Sequence, residues 1–340
     1  MRFIQVGVGG FGRGWLGHVA RDSAAELVAL VDTSEDALES ARQETGLPQD
    51  RCYADYRTAF EQVDADAVLC VTPPAVHHEV ALAAFERGLH VLTEKPLADT
   101  MTQGRQMVDA AQAAGKTLMV SQNYRFRSWV RTMRHLLASG EFGEPDSAFV
   151  RFAKAPRFEG SFRLKMEHPL VRDMSIHHFD LMRAVLGKNP VSVYATTWKP
   201  RWSWFDHDPC AAAIFEFEGG LQVIYHGSWV ARGVETTWDG YWCVECSEAA
   251  VELRGTQVHV VLAEHPDEDT EVELHTMPCE GQALVLRQFQ EAIARGLPPE
   301  TSGRDNLLSM AMVFAATESA ARRAPVLIEE ILDSGQGNDA

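Results

Sequence analysis

The run Gly7-Val8-Gly9-Gly10-Phe11-Gly12 ends one apolar, strand-like stretch (Phe3–Val8) and opens a helix, matching G-x-G-x-x-G with Gly7, Gly9 and Gly12. Few folds accommodate a strand that turns into a helix over three such glycines. The first permits the tight turn, the second lets backbone approach a pyrophosphate, and the third lets helix and strand pack closely. Asp32 follows the next apolar run, Glu26–Val31, twenty residues beyond Gly12, where a carboxylate accepts hydrogen bonds from an adenosine ribose. A 2′-phosphate would be repelled there, and Thr33-Ser34-Glu35 supplies no base to offset the charge. The expected cofactor is therefore NAD rather than NADP, held by Gly7, Gly9, Gly10, Phe11, Gly12 and Asp32. Arg13 is left open between the pyrophosphate and the surface.

The pattern of that first half repeats. Further apolar runs at Ala67–Val71, His90–Leu92 and Thr117–Val120 alternate with helical spacing at Asp36–Thr45, Val76–Arg87 and Thr102–Ala114, and Gly88 and Gly115 act as stops. Such alternation predicts a doubly wound parallel sheet of Rossmann type over residues 1–123. From residue 124 on, helices at Ser128–Ala138 and Val171–Leu186 are followed mostly by strands. These include a hairpin, Ala213–Phe217 with Leu221–His226, and runs at Ser147–Phe152, Tyr241–Cys246, Val251–Leu253, Gln257–Leu262 and Thr270–Thr276. Helices at Gln282–Arg295 and Arg304–Arg322 precede a tail, Asp333–Ala340, read as frayed. The fold class is α/β, with residues 124–340 forming an α+β substrate and oligomerisation domain on an open, mostly antiparallel sheet.

A formal charge of −17 sets the field of the whole chain against phosphate backbones and anionic lipid. Neither nucleic acid nor membrane is an expected partner. No apolar stretch approaches the ~20 residues needed to cross a bilayer, and the N-terminus reads as strand rather than export signal. Six scattered cysteines fit a reducing, cytoplasmic setting; Cys243 and Cys246 form a lone C-x-x-C with no second pair to complete a zinc site. The aromatic run Trp198–Phe205 reads as packing or interface before sugar-ring contact.

Thr72-Pro73-Pro74-Ala75-Val76-His77 and Thr93-Glu94-Lys95-Pro96 both leave carboxyl ends of strands, where such sheets place ligands. Thr72, Pro73, His77, Glu94 and Lys95 are accordingly counted with the cofactor site. With Asp173-Met174-Ser175-Ile176-His177 further on, these pieces resemble the family named for glucose-fructose oxidoreductase, inositol dehydrogenase and a rhizopine-catabolism protein (Gfo/Idh/MocA). The resemblance implies a nicotinamide-dependent dehydrogenase of a sugar, polyol or related cyclic hydroxyl or carbonyl compound. It implies Lys95, Asp173 and His177 as catalytic residues, a cis bond before Pro96, and a homo-oligomer, dimer or tetramer. One departure is the glycine pair that often precedes the helix aspartate, replaced here by Glu167-His168-Pro169-Leu170.

Read from spacing alone, Asp173, His177 and Asp180 fall on one helix face, while His178 turns toward an apolar stripe. His178 is then mainly a packed histidine, kept with Tyr124 and Arg125 as an outlying substrate contact; Arg125 serves equally well as the partner of a carboxylate between domains. Hydride transfer from an alcohol needs a group to take the hydroxyl proton, a role for histidine or for a lysine tuned by its surroundings. His177 is assigned that role, Lys95 polarises the substrate oxygen and Asp173 orients; the first two roles are exchangeable. A divalent ion on Asp173, His177, Asp180 and His168 is the rival arrangement, unnecessary beside a dinucleotide and a lysine, so no metal is expected. Redox-neutral elimination or glycoside cleavage with retained NAD, or a dinucleotide-sensing regulator, are the other functions such a chain could serve. The expansion of the second domain's sheet with large residues (Phe215, Phe217, Leu221, Val223, Tyr225) predicts that both sheet faces are covered, one by a second copy.

Overall fold

A computed structural model describes residues 1–334 and divides the chain into two compact units. The first comprises Met1–Asn123 and Pro278–Leu307; the second comprises Tyr124–Met277 and the chain from Leu308 on. Of the tail read as frayed, Asp333 ends a short helix, and residues 335–340 lie outside the described residues.

In the first unit, strands β1 (Arg2–Val6), β2 (Glu26–Val31), β3 (Cys52–Tyr53), β4 (Ala67–Cys70), β5 (His90–Thr93) and β6 (Leu118–Val120) form one parallel sheet in the order 3-2-1-4-5-6. That is the Rossmann order, and it follows from right-handed crossovers through intervening helices. The helices are α1 (Gly10–Arg21), α2 (Glu35–Thr45), α3 (Tyr56–Gln62), α4 (Pro74–Glu86) and α5 (Met101–Ala113). Ser34, Asp55 and Thr100 cap α2, α3 and α5 by accepting the amides of Ala37, Thr58 and Gln103. Strand β3 and helix α3 escape sequence reading because each is too short to show its period.

In the second unit, α6 (Ser128–Ala138) and α7 (Ile176–Leu186) accompany a nine-stranded sheet. Its strands are β7 (Pro145–Ala153), β8 (Pro190–Trp198), β9 (Cys210–Phe217), β10 (Gln222–Ser228), β11 (Tyr241–Cys246), β12 (Ala249–Arg254), β13 (Gln257–Leu262), β14 (Asp269–Val272) and β15 (Val326–Leu327). They run in the order 14-13-12-11-7-10-9-8-15, antiparallel except for β10 beside β7. Phe215, Phe217, Leu221, Val223 and Tyr225 all lie in the core. The large residues whose number predicts that both faces are covered therefore all belong to the covered face. The open face carries the alternate positions instead: Phe149, Tyr194, Ile214 and Ile224.

Helix α8 (Gln282–Arg295) belongs to the first unit, where Phe289 packs on Phe3 with ring centroids 6.1 Å apart. Assigning all of residues 124–340 to the second domain misplaces it, because contiguity in sequence says nothing of where a late helix docks. Helices α9 (Gly303–Arg322) and α10 (Ile328–Asp333) close the described chain.

Candidate functional site

The glycine turn is built as its sequence demands. Gly7 has a φ of 90°, and a Cβ on it would lie 2.5 Å from the Val71 carbonyl oxygen. A Cβ on Gly12 would lie 2.2 Å from the Gly7 carbonyl oxygen, so only glycine lets α1 approach the end of β1 this closely. Gly9 differs, since a Cβ there would make ordinary contacts, 3.6 Å to Ala37 Cβ and 3.7 Å to Asp32 Oδ2. The chain itself leaves room above Gly9, the space that the motif reserves for a pyrophosphate. Gly10 and Phe11 start α1, which has no side-chain cap, and Phe11 is exposed. Of the first-turn amides, Gly12 N–H donates to the Gly9 carbonyl oxygen at 2.8 Å, and those of Gly10 and Phe11 stand at the helix end that can receive an anion.

Asp32 holds the turn from the other side. Its Oδ2 accepts the amides of Val8 at 2.9 Å and Gly9 at 3.1 Å, and its Oδ1 accepts Ser34 N–H at 2.9 Å. A carboxylate has about four lone-pair positions, so capacity remains for a ribose hydroxyl. These residues fit an NAD molecule. Arg13 pairs with Glu44 at 2.9 Å on the surface.

Thr72 and Pro73 lead from β4 into α4, with the Thr72 backbone against Gly7. The Lys95–Pro96 peptide is cis. Glu94 is buried; its Oε1 accepts the Trp15 indole N–H at 2.8 Å and its Oε2 accepts Lys95 N–H at 3.1 Å. Burial pushes the Glu94 carboxyl up, against the opposing pull of the Trp15 donor and the Lys95 charge. His77 is wholly buried, with Nδ1 2.9 Å from the Pro96 carbonyl oxygen and Nε2 2.9 Å from that of Thr72. Glu94 and His77, counted with the cofactor site from the sequence, have their polar atoms engaged by protein groups, and both side chains hold the loops at the ends of β4 and β5. Lys95, half-buried, extends from the turn they support.

In the second unit a π-helical turn, Leu170–Ser175, precedes α7 where one continuous helix was expected. His168, in the Glu167-His168-Pro169-Leu170 segment ahead of Asp173, takes a left-handed φ of 45°, a backbone conformation that glycine adopts most readily. The wider turn changes the angular spacing on which the single polar face was counted, and the three side chains go to different partners. Asp173 receives Arg163 Nε at 2.6 Å, with a second guanidinium nitrogen at 3.4 Å. Asp180 is buried, taking Arg125 through two 2.6 Å bonds and the Ser309 hydroxyl at 2.6 Å. Arg125 is therefore a buried cation paired with a carboxylate of its own unit, the second of the two roles its sequence left open.

His177 is 6% exposed and stacks on Tyr124, ring centroids 4.3 Å apart and planes 15° from parallel. The Arg127 guanidinium lies 3.6 Å from the Tyr124 ring centre and pairs with Asp239, which also accepts the Trp129 indole N–H at 3.0 Å. The imidazole plane is thus set by an aromatic neighbour that is itself anchored. His178 has no exposure; Nε2 is 3.2 Å from the Trp238 carbonyl oxygen and Nδ1 3.2 Å from the Tyr225 hydroxyl. A carbonyl only accepts, so Nε2 carries the hydrogen and Nδ1 accepts from Tyr225, whose oxygen lies 2.9 Å from Ser175 Oγ. Burial pushes His178 down to about 4. This packed histidine has both nitrogens engaged by protein groups, in keeping with the mainly structural role read from its helix position.

Among the described residues no group of three or more His, Cys, Asp or Glu side chains is arranged to hold a metal ion. The cysteines are free, and burial pushes Cys243 and Cys246 up to about 11, away from thiolate reactivity. Of the aromatic run, Phe205 stacks on Trp229 in the core, and the Trp202 and Trp204 indoles donate to the carbonyls of Val230 and Pro156. Sequence reasoning missed Arg163 and Gln5, which no periodicity ties to the site. Trp15 was within reach, since Gly12, Trp15, Leu16 and Val19 share the buried stripe of α1.

Residues 1–122 match the model of an oxidoreductase family with an NAD-binding Rossmann fold, and residues 130–259 match the GFO/IDH/MocA C-terminal domain. An uncharacterized protein, y4oX, of Sinorhizobium fredii is 32% identical, covering 98% of this chain and 97% of its own. The 1,5-anhydro-D-fructose reductase of Ensifer adhaerens is 27% identical, covering 96% and 98%. Among solved structures, an oxidoreductase from Agrobacterium radiobacter in complex with NAD+, L-tartaric acid and magnesium superposes with a TM-score of 0.89 at 22% identity, covering 98% of this chain and 99% of that one.

Proposed function

Because this chain belongs to the Gfo/Idh/MocA oxidoreductases, whose first domain is an NAD-binding Rossmann fold, we propose that it moves hydride between NAD and a sugar, polyol or related cyclic hydroxyl or carbonyl compound. The observation that carries the cofactor half is the glycine turn, open above Gly9 and clasped by Asp32 with no base beside it. The substrate half is supported by relatives such as the 1,5-anhydro-D-fructose reductase.

When bound, the nicotinamide supplies the hydride acceptor or donor. The chain's own groups then manage the proton. His177, its ring fixed against Tyr124, takes the proton of the substrate hydroxyl during oxidation and returns it to the forming alkoxide in reduction. Lys95 polarises the reacting oxygen, and Asp173 assists under the charge of Arg163. The first unit's Rossmann domain carries the dinucleotide, and the second carries the substrate.

No helix of the described residues is long and apolar enough to cross a membrane. The unpaired cysteines support a cytoplasmic enzyme. The exposed apolar positions on the open sheet face support a homo-oligomer. The deciding experiment is a panel of sugars, inositols and sugar acids with NAD or NADP, followed by absorbance of reduced nicotinamide. Tightly held NAD with no net reduction on any member would replace the dehydrogenase with redox-neutral chemistry.

A further inference from the structure

Gln5 is a polar residue in an otherwise apolar strand, Phe3-Ile4-Gln5-Val6, and it is wholly buried. Its side-chain nitrogen donates one hydrogen to the Gly7 carbonyl at 3.0 Å and the other to the Gly12 carbonyl at 2.7 Å. Those two carbonyls belong to the glycines that bring strand end and helix start together. The Gly7 oxygen lies where a Cβ on Gly12 would stand. A carbonyl in so close a junction has little access to water, so leaving one without a donor is costly. Gln5 donates to two at once, that of Gly12 standing also within the hydrogen-bonded ladder of α1.

The orientation of the amide is determined by its partners. Turned over, Oε1 would face two acceptors, so nitrogen faces the turn. Oε1 then has no partner among the described residues, a penalty at one atom accepted in exchange for two donors. Asp32 meanwhile accepts the amides of Val8 and Gly9. The turn is clamped from both sides, its carbonyls by Gln5 and its amides by Asp32.

We propose that Gln5 is a positioning residue for NAD, holding the glycine turn in its receiving shape before the dinucleotide arrives. The proposal rests on dinucleotide use and is independent of which substrate is oxidised. Without the donor, the turn relaxes to offer its carbonyls to water, and binding must restore it. Affinity then falls with the fraction of protein still in the receiving shape.

The test is calorimetric binding of NAD and of ADP-ribose to the unmodified protein and to Gln5→Met, with thermal unfolding of each. Gln5→Met is expected to raise both dissociation constants tenfold or more and by equal factors, since the nicotinamide is not involved. KM for NAD should rise in step, with kcat at saturating NAD falling much less. A lowered melting temperature with both dissociation constants within threefold of the original would mean that Gln5 is only part of the scaffold, and would overturn the proposal. Should Gln5→Met fail to fold, Gln5→Asn replaces it, its amide one methylene short of the two carbonyls, with the same expected rise. Failure of the unmodified protein to bind either ligand would instead overturn the dinucleotide reading itself.

Discussion

The His77 imidazole bridges the carbonyls of Thr72 and Pro96, 2.9 Å from each, and so ties the segment leaving β4 to the turn that carries Lys95. Full pairing of two carbonyls asks for hydrogen on both ring nitrogens, whereas burial pushes the group toward its neutral form. Replacement by alanine leaves a cavity and frees both carbonyls. His77→Ala is expected to cost about 2–4 kcal/mol of stability. It should also lower kcat, because the Lys95 turn loses its tie. Urea unfolding and steady-state turnover check both; an unchanged unfolding midpoint would show that the bridge contributes nothing.

Such a bridge marks the limit of what the sequence discloses. The alternation of short apolar runs with 3.6-residue periodicity was enough to read the Rossmann half, because each strand there is bounded by glycine, proline or a polar cap. Hairpin β9–β10 was legible for the same reason. Partnerships between distant residues have no period: nothing in the sequence links Arg163 to Asp173, Arg125 to Asp180 or Gln5 to Gly12. Helical counting went astray at Leu170–Ser175, where the π-helical turn shifts Asp173 relative to the residues of α7. The candidate residues stand in motifs that a sequence displays, whereas their supports became visible only in three dimensions.

Cofactor choice follows from Asp32. NAD is expected to have a higher specificity constant than NADP in the unmodified protein. Asp32→Ala removes the repulsion of a 2′-phosphate, but it also frees the amides of Val8 and Gly9. The gap should narrow mainly by loss of NAD activity, about tenfold or more, a change of ~1.4 kcal/mol. Initial rates with each cofactor measure it, and equal use of both by the unmodified protein would refute the assignment.

His178 gives the fold an acid sensitivity whose sign can be worked out. The unfolded side chain binds a proton near 6.5, while the folded one resists until about 4. Between those values the unfolded state binds more protons, so the contribution is fully present above 6.5 and is lost as pH falls toward 4, by up to about 3 kcal/mol. His178→Gln should flatten that part of the stability profile. Parallel urea titrations at several pH values decide the matter, an identical acid limb in the variant being the adverse result.

On the open face of the second sheet, the register sets Cys243, Phe149, Ile224, Ile214 and Tyr194 side by side across five strands. Ile214 and Ile224 are 47% and 46% exposed in the single chain, at the centre of the row. A dimer or larger assembly is expected at micromolar concentration, and Ile214→Glu with Ile224→Glu should dissociate it by burying charge in its contact. Light scattering reads the mass; a monomeric unmodified protein would end this proposal.

The catalytic assignment is tested at Lys95. A group that polarises the reacting oxygen interacts most strongly as alkoxide charge develops, so its loss should reduce turnover far more than cofactor binding. Lys95→Ala is expected to keep NAD affinity within about tenfold while kcat falls by roughly 10²-fold or more, the range typical of a lost proton-transfer or electrostatic group. His177→Ala should behave alike. Tyr124→Leu, which removes the stacking surface but no proton, should fall between these variants and the original, and Tyr124→Phe should recover most of the loss. The double variant of Lys95 and His177 should lose much less than the two single effects combined, because groups serving one transition state are not additive. Turnover on the best panel substrate, measured beside calorimetric NAD binding, separates these outcomes. Near-normal turnover in Lys95→Ala would reduce the Glu94-Lys95-Pro96 turn to a structural element and remove the lysine from the mechanism.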